Sequence, residues 1–255
     1  MNDNFRLLVT LCTYNERGNI ELLVPEIHER IPRADVLVID DGSPDGTGKL
    51  VDAMAEVDSR VHVLHRSGKQ GLGTATLAGF RYAVEHHYDY VLNMDADFSH
   101  HPRHLPALID CMDRVDVGIG SRYVVGGGVQ GWGILRHFMS QSINIYARLL
   151  LGLKTRDNSG SYRCYRVSKL GEIDLNRVRA RGYAFEEEIL YRCKRIGCTF
   201  EESAIVFEER RYGSSKINWR EAVVALWVIF RLGIENLFGV PVAITDQPTP
   251  TKSTS

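Results

Sequence analysis

"YVLNMDADFSHHP", residues 90–102, carries an apolar run straight into two aspartates one residue apart, then two histidines and a proline. The apolar part has the length and composition of a buried strand. The polar part has the character of a strand exit, where chain direction changes and side chains meet solvent. Working outward, similar runs occupy 6–11, 36–39, 61–64 and 115–119, and helical spacing fills 49–57, 74–87 and 105–112 between them. Pro25, inside "NIELLVPEIHERI", is expected to kink or break the first helix. Repeated strand–helix units require crossovers of one hand, so the spacing predicts an α/β domain with a mainly parallel twisted sheet flanked by helices. Ligands in such sheets sit beyond the carboxyl ends of the strands. That edge collects "TYNE" (13–16), "DDGSPDGT" (40–47), "SGKQGLG" (67–73) and the opening of "DADFSHH" (95–101).

Beyond Ser121 the alternation stops. A loop, "VVGGGVQG", precedes a helix expected over 134–151, the loop "RDNSGSYR", a helix near 186–196, a strand near 199–207, the loop "ERRYGSSK" and a helical stretch over 218–238. The expected organisation is one domain over 1–216, an amphipathic helix over 217–240 and a Pro/Thr/Ser-rich disordered tail over 245–255.

Bulk properties exclude several classes. With 44% apolar residues in 255, the chain has enough material for a full core. Its 31 basic and 32 acidic residues remove the electrostatic footprint of a nucleic-acid binder, so any anion site must be local. Five cysteines without a C-x-x-C pair indicate neither a disulfide framework nor a zinc knuckle, which fits a reducing cytoplasm. The N-terminal apolar run is too short for a signal peptide, and the run over 222–230 falls well below the ~20 residues that a membrane crossing needs.

Each motif admits a plain reading beside a chemical one. Asp95 and Asp97, on an extended backbone, would face one side of the sheet edge, where hard oxygen ligands suit Mg²⁺ or Mn²⁺ bridging nucleotide phosphates. An isolated D-x-D reads equally as a helix start capped by Asp97 or Ser99. His100 and His101, beside a proline, fit a solvated helix start better than a ligand set, although His100 would favour Mn²⁺. "DDGSPDGT" is ordinary turn chemistry, yet a carboxylate there can also accept from base or ribose groups. "GKQGLGTATLAGF" lacks the third glycine of a dinucleotide fingerprint, because Thr76 stands there, which disfavours a dehydrogenase. Tight helix–strand packing accounts for Gly71 and Gly73, with Lys69 a candidate phosphate contact. Arg122, Arg136, Arg210, Arg211 and Lys216 lie in or beside Gly/Ser-rich loops or at a helix start, where guanidinium groups can close on a phosphate.

Taken in order, "TYNERGN", "VIDDGSPDGT", "GLGTA", "MDADFSHHP", "GSRYVVGGGV", "GYAFEEEI" and "RRYGSSK" resemble the inverting GT-A-fold glycosyltransferases of family 2 that make polyprenyl-phosphate sugars, most closely the dolichyl-phosphate mannose synthases. The resemblance spans roughly residues 8–217. It implies transfer of mannose from GDP-mannose to a polyprenyl (dolichyl-type) phosphate, with Mg²⁺ or Mn²⁺ as cofactor, at a membrane surface or beside a membrane-anchoring subunit. By the same resemblance, Tyr14, Glu16, Val38 and Asp40 would hold the guanosine, with Cys12 where the family usually has proline. Asp95, Ala96 and Asp97 would contact the sugar nucleotide, Asp97 as principal metal ligand. Arg122, Arg210 and Lys216 would take its phosphates, and Arg136 and Ser140 the lipid phosphate. Ser99 stands where some members carry a glutamine ligand, so coordination would be completed by Ser99, water or His100. Glu188 would orient an arginine. The location implied is cytoplasmic and peripheral to the membrane, with residues 217–240 either interfacial or packed on the domain. The alternatives are a UDP-glucose-dependent polyprenyl-phosphate glucosyltransferase and a non-catalytic sugar-nucleotide-binding subunit. A pyrophosphorylase would need a Gly-rich loop directly after the first strand, and "CTYNERGN" has none.

Overall fold

The computed structural model describes residues 5–182, 184–208 and 219–239. Its elements run β1 (Leu7–Thr13), α1 (Arg17–Arg30), β2 (Asp35–Asp40), α2 (Thr47–Val57), β3 (Val61–His65), α3 (Leu72–Glu85), β4 (Tyr90–Asp95), α4 (Leu105–Cys111), β5 (Val117–Ser121), β6 (Gly128–Val129), α5 (Ile134–Leu151), β7 (Arg163–Arg166), α6 (Val167–Gly171), α7 (Phe185–Arg195), β8 (Phe200–Ala204), β9 (Val206–Phe207) and α8 (Trp219–Leu237). Seven strands form one sheet in the order β3-β2-β1-β4-β7-β5-β8, and β6 pairs with β9 in a small parallel ribbon. Every neighbour pair in the large sheet is parallel except those made by β7, which runs antiparallel to both β4 and β5.

The parallel strands are apolar on both faces because helices cover both. Leu8, Leu37 and Ile39 point to a core shared with Phe80 of α3, Ala147 of α5, Ile189 of α7 and Ile229 of α8. Leu7, Val9 and Leu11, the alternate residues of β1, enter a second core with Ile20 and Leu23 of α1, Val51 of α2 and Leu108 of α4. Each fully buried Leu or Phe contributes ~1.5–3 kcal/mol relative to exposure, so these two layers account for the main drive to fold.

Four expectations need correction. Helix α1 runs unbroken through Pro25. The residue whose carbonyl loses its partner, Glu21, is exposed, and water can satisfy it there. Arg163, read as the end of the loop "RDNSGSYR", instead opens β7 with 164–166, to which no element was assigned: "RCYR" hides its strand character behind two arginines, one of which, Arg163, is wholly buried. The single strand expected over 199–207 is cut at Ile205. Ile205 donates its main-chain N–H to the Ser121 carbonyl (3.0 Å), after which the chain leaves the large sheet and β9 joins β6. Gly71 and Gly73 serve a contact between the start of α3 and the segment entering α7 rather than helix–strand packing. A Cβ on Gly71 (φ +101°) would lie 2.5 Å from the Arg181 carbonyl oxygen, and one on Gly73 would lie 2.7 Å from the Phe185 Cβ. The two glycines therefore let α3 press against the segment that launches α7.

Helix α8 packs on α5 and α7, burying Ala225, Ile229 and Leu232 at helical spacing. Its other face leaves Val223, Val224, Trp227 and Phe230 exposed. Among the described residues, no helix is long and apolar enough to cross a membrane. The tail expected over 245–255 lies outside the described residues.

Gly71→Ala is expected to destabilise the protein by about 2 kcal/mol or more, since it combines a disfavoured backbone region with a carbonyl clash. A urea midpoint equal to the parent's would contradict the close approach of residues 71 and 181.

Candidate active site

At the carboxyl edge, β1 and β4 end side by side, with Cys12 paired to Asp95. The D-x-D is not extended: β4 stops at Asp95, and Ala96 and Asp97 form a turn. Phe98, in the left-handed region (φ +67°) and 1% exposed, holds that turn at a strain of about 1–3 kcal/mol. The Ser99 N–H donates to Asp97 Oδ1 (3.0 Å). The cap of the short helical turn at 102–104 is instead His101, whose ring accepts from the Arg103 N–H. His100 is likewise not at a solvated helix start. It is 2% exposed, its Nδ1 accepts the Asp95 N–H (3.0 Å), and its ring stacks on Tyr162 at 4.8 Å with Phe207 edge-on at 5.3 Å. Burial holds its pKa below the usual imidazole value, which suits the accepting, neutral ring.

The turn opens on a cavity of about 530 Å³. Cys12, Glu16, Asp95, Ala96, Asp97, Arg122, Arg136 and Ser140 all line it. Residues up to 128 apart in sequence thus share one wall system, which is what a common ligand requires. Asp95 accepts from the Ser161 hydroxyl (2.8 Å), and Ser161 in turn is held through its carbonyl by Asn93 (3.2 Å). The Cys12 thiol, pushed up to about 12 by burial, is no nucleophile at neutral pH.

Arg122 does not stand alone. Its Nε and Nη2 bind Asp157 at 2.7 and 2.6 Å as a fork, Nη2 also reaches Ser159 (3.0 Å), and its main-chain N–H donates to the same carboxylate (2.9 Å). Burial would raise Asp157, but the Arg122 guanidinium wins and holds it below the usual carboxylate range. Arg136, near the start of α5, lies over the Trp132 ring at 4.1 Å, and Tyr123 donates its hydroxyl proton to Ser140 (2.7 Å). The floor is acidic. Glu186 and Glu187, from the first turn of α7, line the cavity while only 4% and 2% exposed. Burial raises them to about 7 and about 8, against the countering pull of Arg163 on Glu186 and of its own main-chain N–H on Glu187.

The structure places other expected residues elsewhere. Val38 is sealed in the core beneath the sheet edge. Asp40 spends its carboxylate on the Ser43 hydroxyl and N–H and on Thr13, tying the turn after β2. Tyr14 lies under the Lys69 ammonium, 4.4 Å from its ring centre. Ser99 is wholly buried next to Asp97, and its side chain is not part of the cavity lining. Glu188 does orient an arginine, but it is Arg192 (2.6 and 3.0 Å), away from the cavity wall. Arg210, Arg211 and Lys216 lie outside the described residues. Asp157, Trp132, Glu186 and Glu187 escaped the sequence reading. The run of three glutamates opening the helix was the available signal for the last two.

A family model for glycosyl transferase family 2 matches residues 8–174. The chain belongs to this family. It is a glycosyltransferase, and the resemblance drawn from its motifs is borne out by its relatives. A polyprenol monophosphomannose synthase of Mycolicibacterium smegmatis is 46% identical over 231 residues, 88% of this chain and 87% of that one. An undecaprenyl-phosphate mannosyltransferase of Micrococcus luteus is 42% identical over 213 residues, 84% of this chain and 88% of that one. Among solved structures, a glucosyl-3-phosphoglycerate synthase from Mycobacterium tuberculosis, with Mn²⁺, UDP-glucose and phosphoglyceric acid, superposes with a TM-score of 0.65 at 18% identity, covering 93% of this chain and 81% of that one. That likeness establishes the GT-A fold of the transferase.

Two outcomes are expected. Asp157→Ala leaves Arg122 buried without its counter-charge and should cost ~3–5 kcal/mol in a urea titration, with loss of transfer activity. Glu187, raised from near 4.5 to about 8, contributes stability that is present below its unfolded pKa and lost as pH rises through about 8. Glu187→Gln should therefore gain stability over the parent from pH 5 to pH 9, read from paired urea midpoints; a constant difference would refute the buried carboxyl.

Proposed function

We propose that the transferase moves mannose from GDP-mannose to the phosphate of a polyprenol of the dolichyl type, with inversion, using Mg²⁺ or Mn²⁺. The observation that carries this reading is one cavity in which a D-x-D pair and two arginines meet beneath apolar helices. Leu135 and Met139 of α5 line the cavity and are also 73% and 49% exposed, and Ala225 of α8 closes the same wall. With exposed Ile134, Phe138, Trp227 and Phe230 nearby on those helices, the mouth of the site carries a surface fit for a lipid acceptor and for the membrane interface.

The donor set fits a hard divalent cation. Asp95 and Asp97 supply carboxylate oxygens to the cavity, and the buried Ser99 hydroxyl beside them has no hydrogen-bond partner among the described residues. With so few protein ligands, the phosphates of the substrate would complete the shell of Mg²⁺ or Mn²⁺. Asp97 is the principal ligand in this reading, with Asp95 and Ser99 supporting it; bound metal would neutralise charge building on the departing diphosphate.

The rest falls to the chain's own residues. A lipid phosphate monoester, with its second pKa near ~6, is already mostly dianionic and needs no strong base. Its oxygen attacks the anomeric carbon while the bond to the GDP oxygen breaks on the opposite face, so one displacement inverts the centre. Arg136 and Ser140 receive the attacking phosphate at the apolar mouth. Arg122, fixed by Asp157, presents Nη1 to the donor phosphates because Nε and Nη2 are engaged. Cys12, Glu16 and Ala96, which line the cavity, flank the nucleotide in this reading; Arg210 and Lys216 are assigned to its phosphates by the family resemblance alone. Position at the membrane surface follows from the acceptor.

Labelled GDP-mannose and UDP-glucose, each offered with polyprenyl phosphate, test the reading. Expected are a mannolipid from GDP-mannose alone, its loss on chelation, and about 100-fold lower kcat/KM in Asp97→Ala. Transfer from UDP-glucose instead, or GDP binding without turnover by the parent, would replace this reading with a glucosyltransferase or a binding subunit.

A further inference from the structure

The cavity floor holds more polar capacity than the fold itself uses. Glu186 Oε1 and Glu187 Oε2 are buried and without a hydrogen-bond partner among the described residues, as are Nε and Nη2 of Arg163 beneath them. Arg163, 0% exposed, gives only Nη1 to this corner, to Glu186 Oε2 (3.1 Å) and the Glu186 carbonyl (2.8 Å). Two carboxyls thus share one cation. Unmatched buried polar atoms are costly and native chains keep few of them. The next residue along α7 shows the contrast. Glu188 is also wholly buried, yet it is saturated by Arg192 and by the N–H groups of Arg179 and Ala180. Glu188 is away from the cavity, whereas Glu186 and Glu187 line it.

We propose that Glu186 and Glu187 are the sugar-reading groups of the site, their open carboxyl oxygens taking hydrogen bonds from hydroxyls of the donor hexose and so deciding which hexose is transferred. The assignment rests on the sugar-nucleotide reading of the cavity. Three features narrow the ligand. The carboxyls share the cavity lining with Asp95 and Ser161, and Asp95 lies near enough to act on the charge of Glu186; the anomeric end of a donor held by the D-x-D would lie on that side. They would repel a diphosphate or a lipid phosphate, for which Arg122 and Arg136 are available on the same cavity. A hexose offers neutral O–H groups that both donate and accept, matching a corner with surplus acceptors over a buried guanidinium. Burial, which raises both groups, lets the pair retain a proton near neutrality and offer a donor as well as acceptors. A site that hydrogen-bonds a substrate hydroxyl discriminates sharply against a donor that misplaces it. These are positioning and specificity residues; they take no part in bond making.

The test compares the parent with Glu186→Gln and Glu187→Gln, isosteric changes. Because Glu186 also pairs with the buried Arg163 (3.1 Å), the urea midpoint of each variant is measured beside its kinetics. Glu187→Gln, for which no ion pair among the described residues is lost, carries the test if Glu186→Gln does not fold. KM and kcat are measured with GDP-mannose and with its C2 epimer GDP-glucose, and the inhibition constant of GDP reports the nucleotide subsite alone. Expected are a rise in KM for GDP-mannose of about 10-fold or more, a preference between the two sugars reduced by a similar factor, and a GDP constant within about 2-fold of the parent. If the GDP constant rises with KM, the carboxyls support the nucleotide site or the fold and the proposal fails. It fails equally if donor preference is unchanged. Should the parent use UDP-glucose, the mannose reading falls by itself. The same ratios, with UDP-glucose, UDP-galactose and UDP, then decide the role of the carboxyls.

Discussion

The carboxylate of Asp157 joins the end of β5 to the loop that delivers β7, and most of the site hangs from that junction. It takes the Arg122 guanidinium as a fork, the Arg122 main-chain N–H and the Gly160 N–H at once. Its own N–H and that of Arg156 are held by Glu202 of β8, while Asn144 of α5 accepts from the N–H groups of Asn158 and Ser159. Three elements distant in sequence are locked to one loop. Buried charge of this kind adds little net stability over a hydrophobic substitute, but removing one partner is severe, so the pair specifies geometry more than it adds free energy.

That geometry gives the cavity distinct charged walls. Arg122, restrained by Asp157, and Arg136, held by the face of Trp132, supply the cations. Acids occupy the strand ends and the floor. Anionic phosphates and a neutral sugar would therefore be drawn to different parts of one pocket, and a donor that contains both is oriented before any chemistry begins. The insertion of β7 makes this possible: Arg163 enters the sheet from an antiparallel strand and places its guanidinium under α7.

Helices α5 and α8 are two-sided. Inward residues such as Ala147, Ile229 and Leu232 complete the core, and outward ones leave apolar side chains exposed on the two helices that also line the cavity. Neither helix is apolar enough all round to leave water entirely. The arrangement suits an enzyme whose phosphate site must reach a lipid head group while its nucleotide site stays in water.

Much of this was legible from the residues alone. The βα alternation up to Ser121 and helix α5 were readable because apolar periodicity is local, and "DADFSHHP" marked the strand exit because aspartate, serine and proline act on the backbone within a few positions. The motifs also marked Asp95, Asp97, Arg122 and Arg136 as chemistry-bearing. What they could not express was pairing across the chain. β7 is a strand only because β4 and β5 supply its hydrogen bonds, and His100 is a structural ring only because Tyr162 and Phe207 close on it. Asp157 matters through Arg122, 35 residues away, and Glu186, Glu187 and Glu188 are indistinguishable in sequence although one is saturated and two face a cavity. Local propensity determined the elements and the chemical character of the strand ends. Only tertiary packing decided which charged groups were buried, which found partners and which were left for a ligand, because desolvation and hydrogen-bond satisfaction depend on neighbours that the linear order does not name.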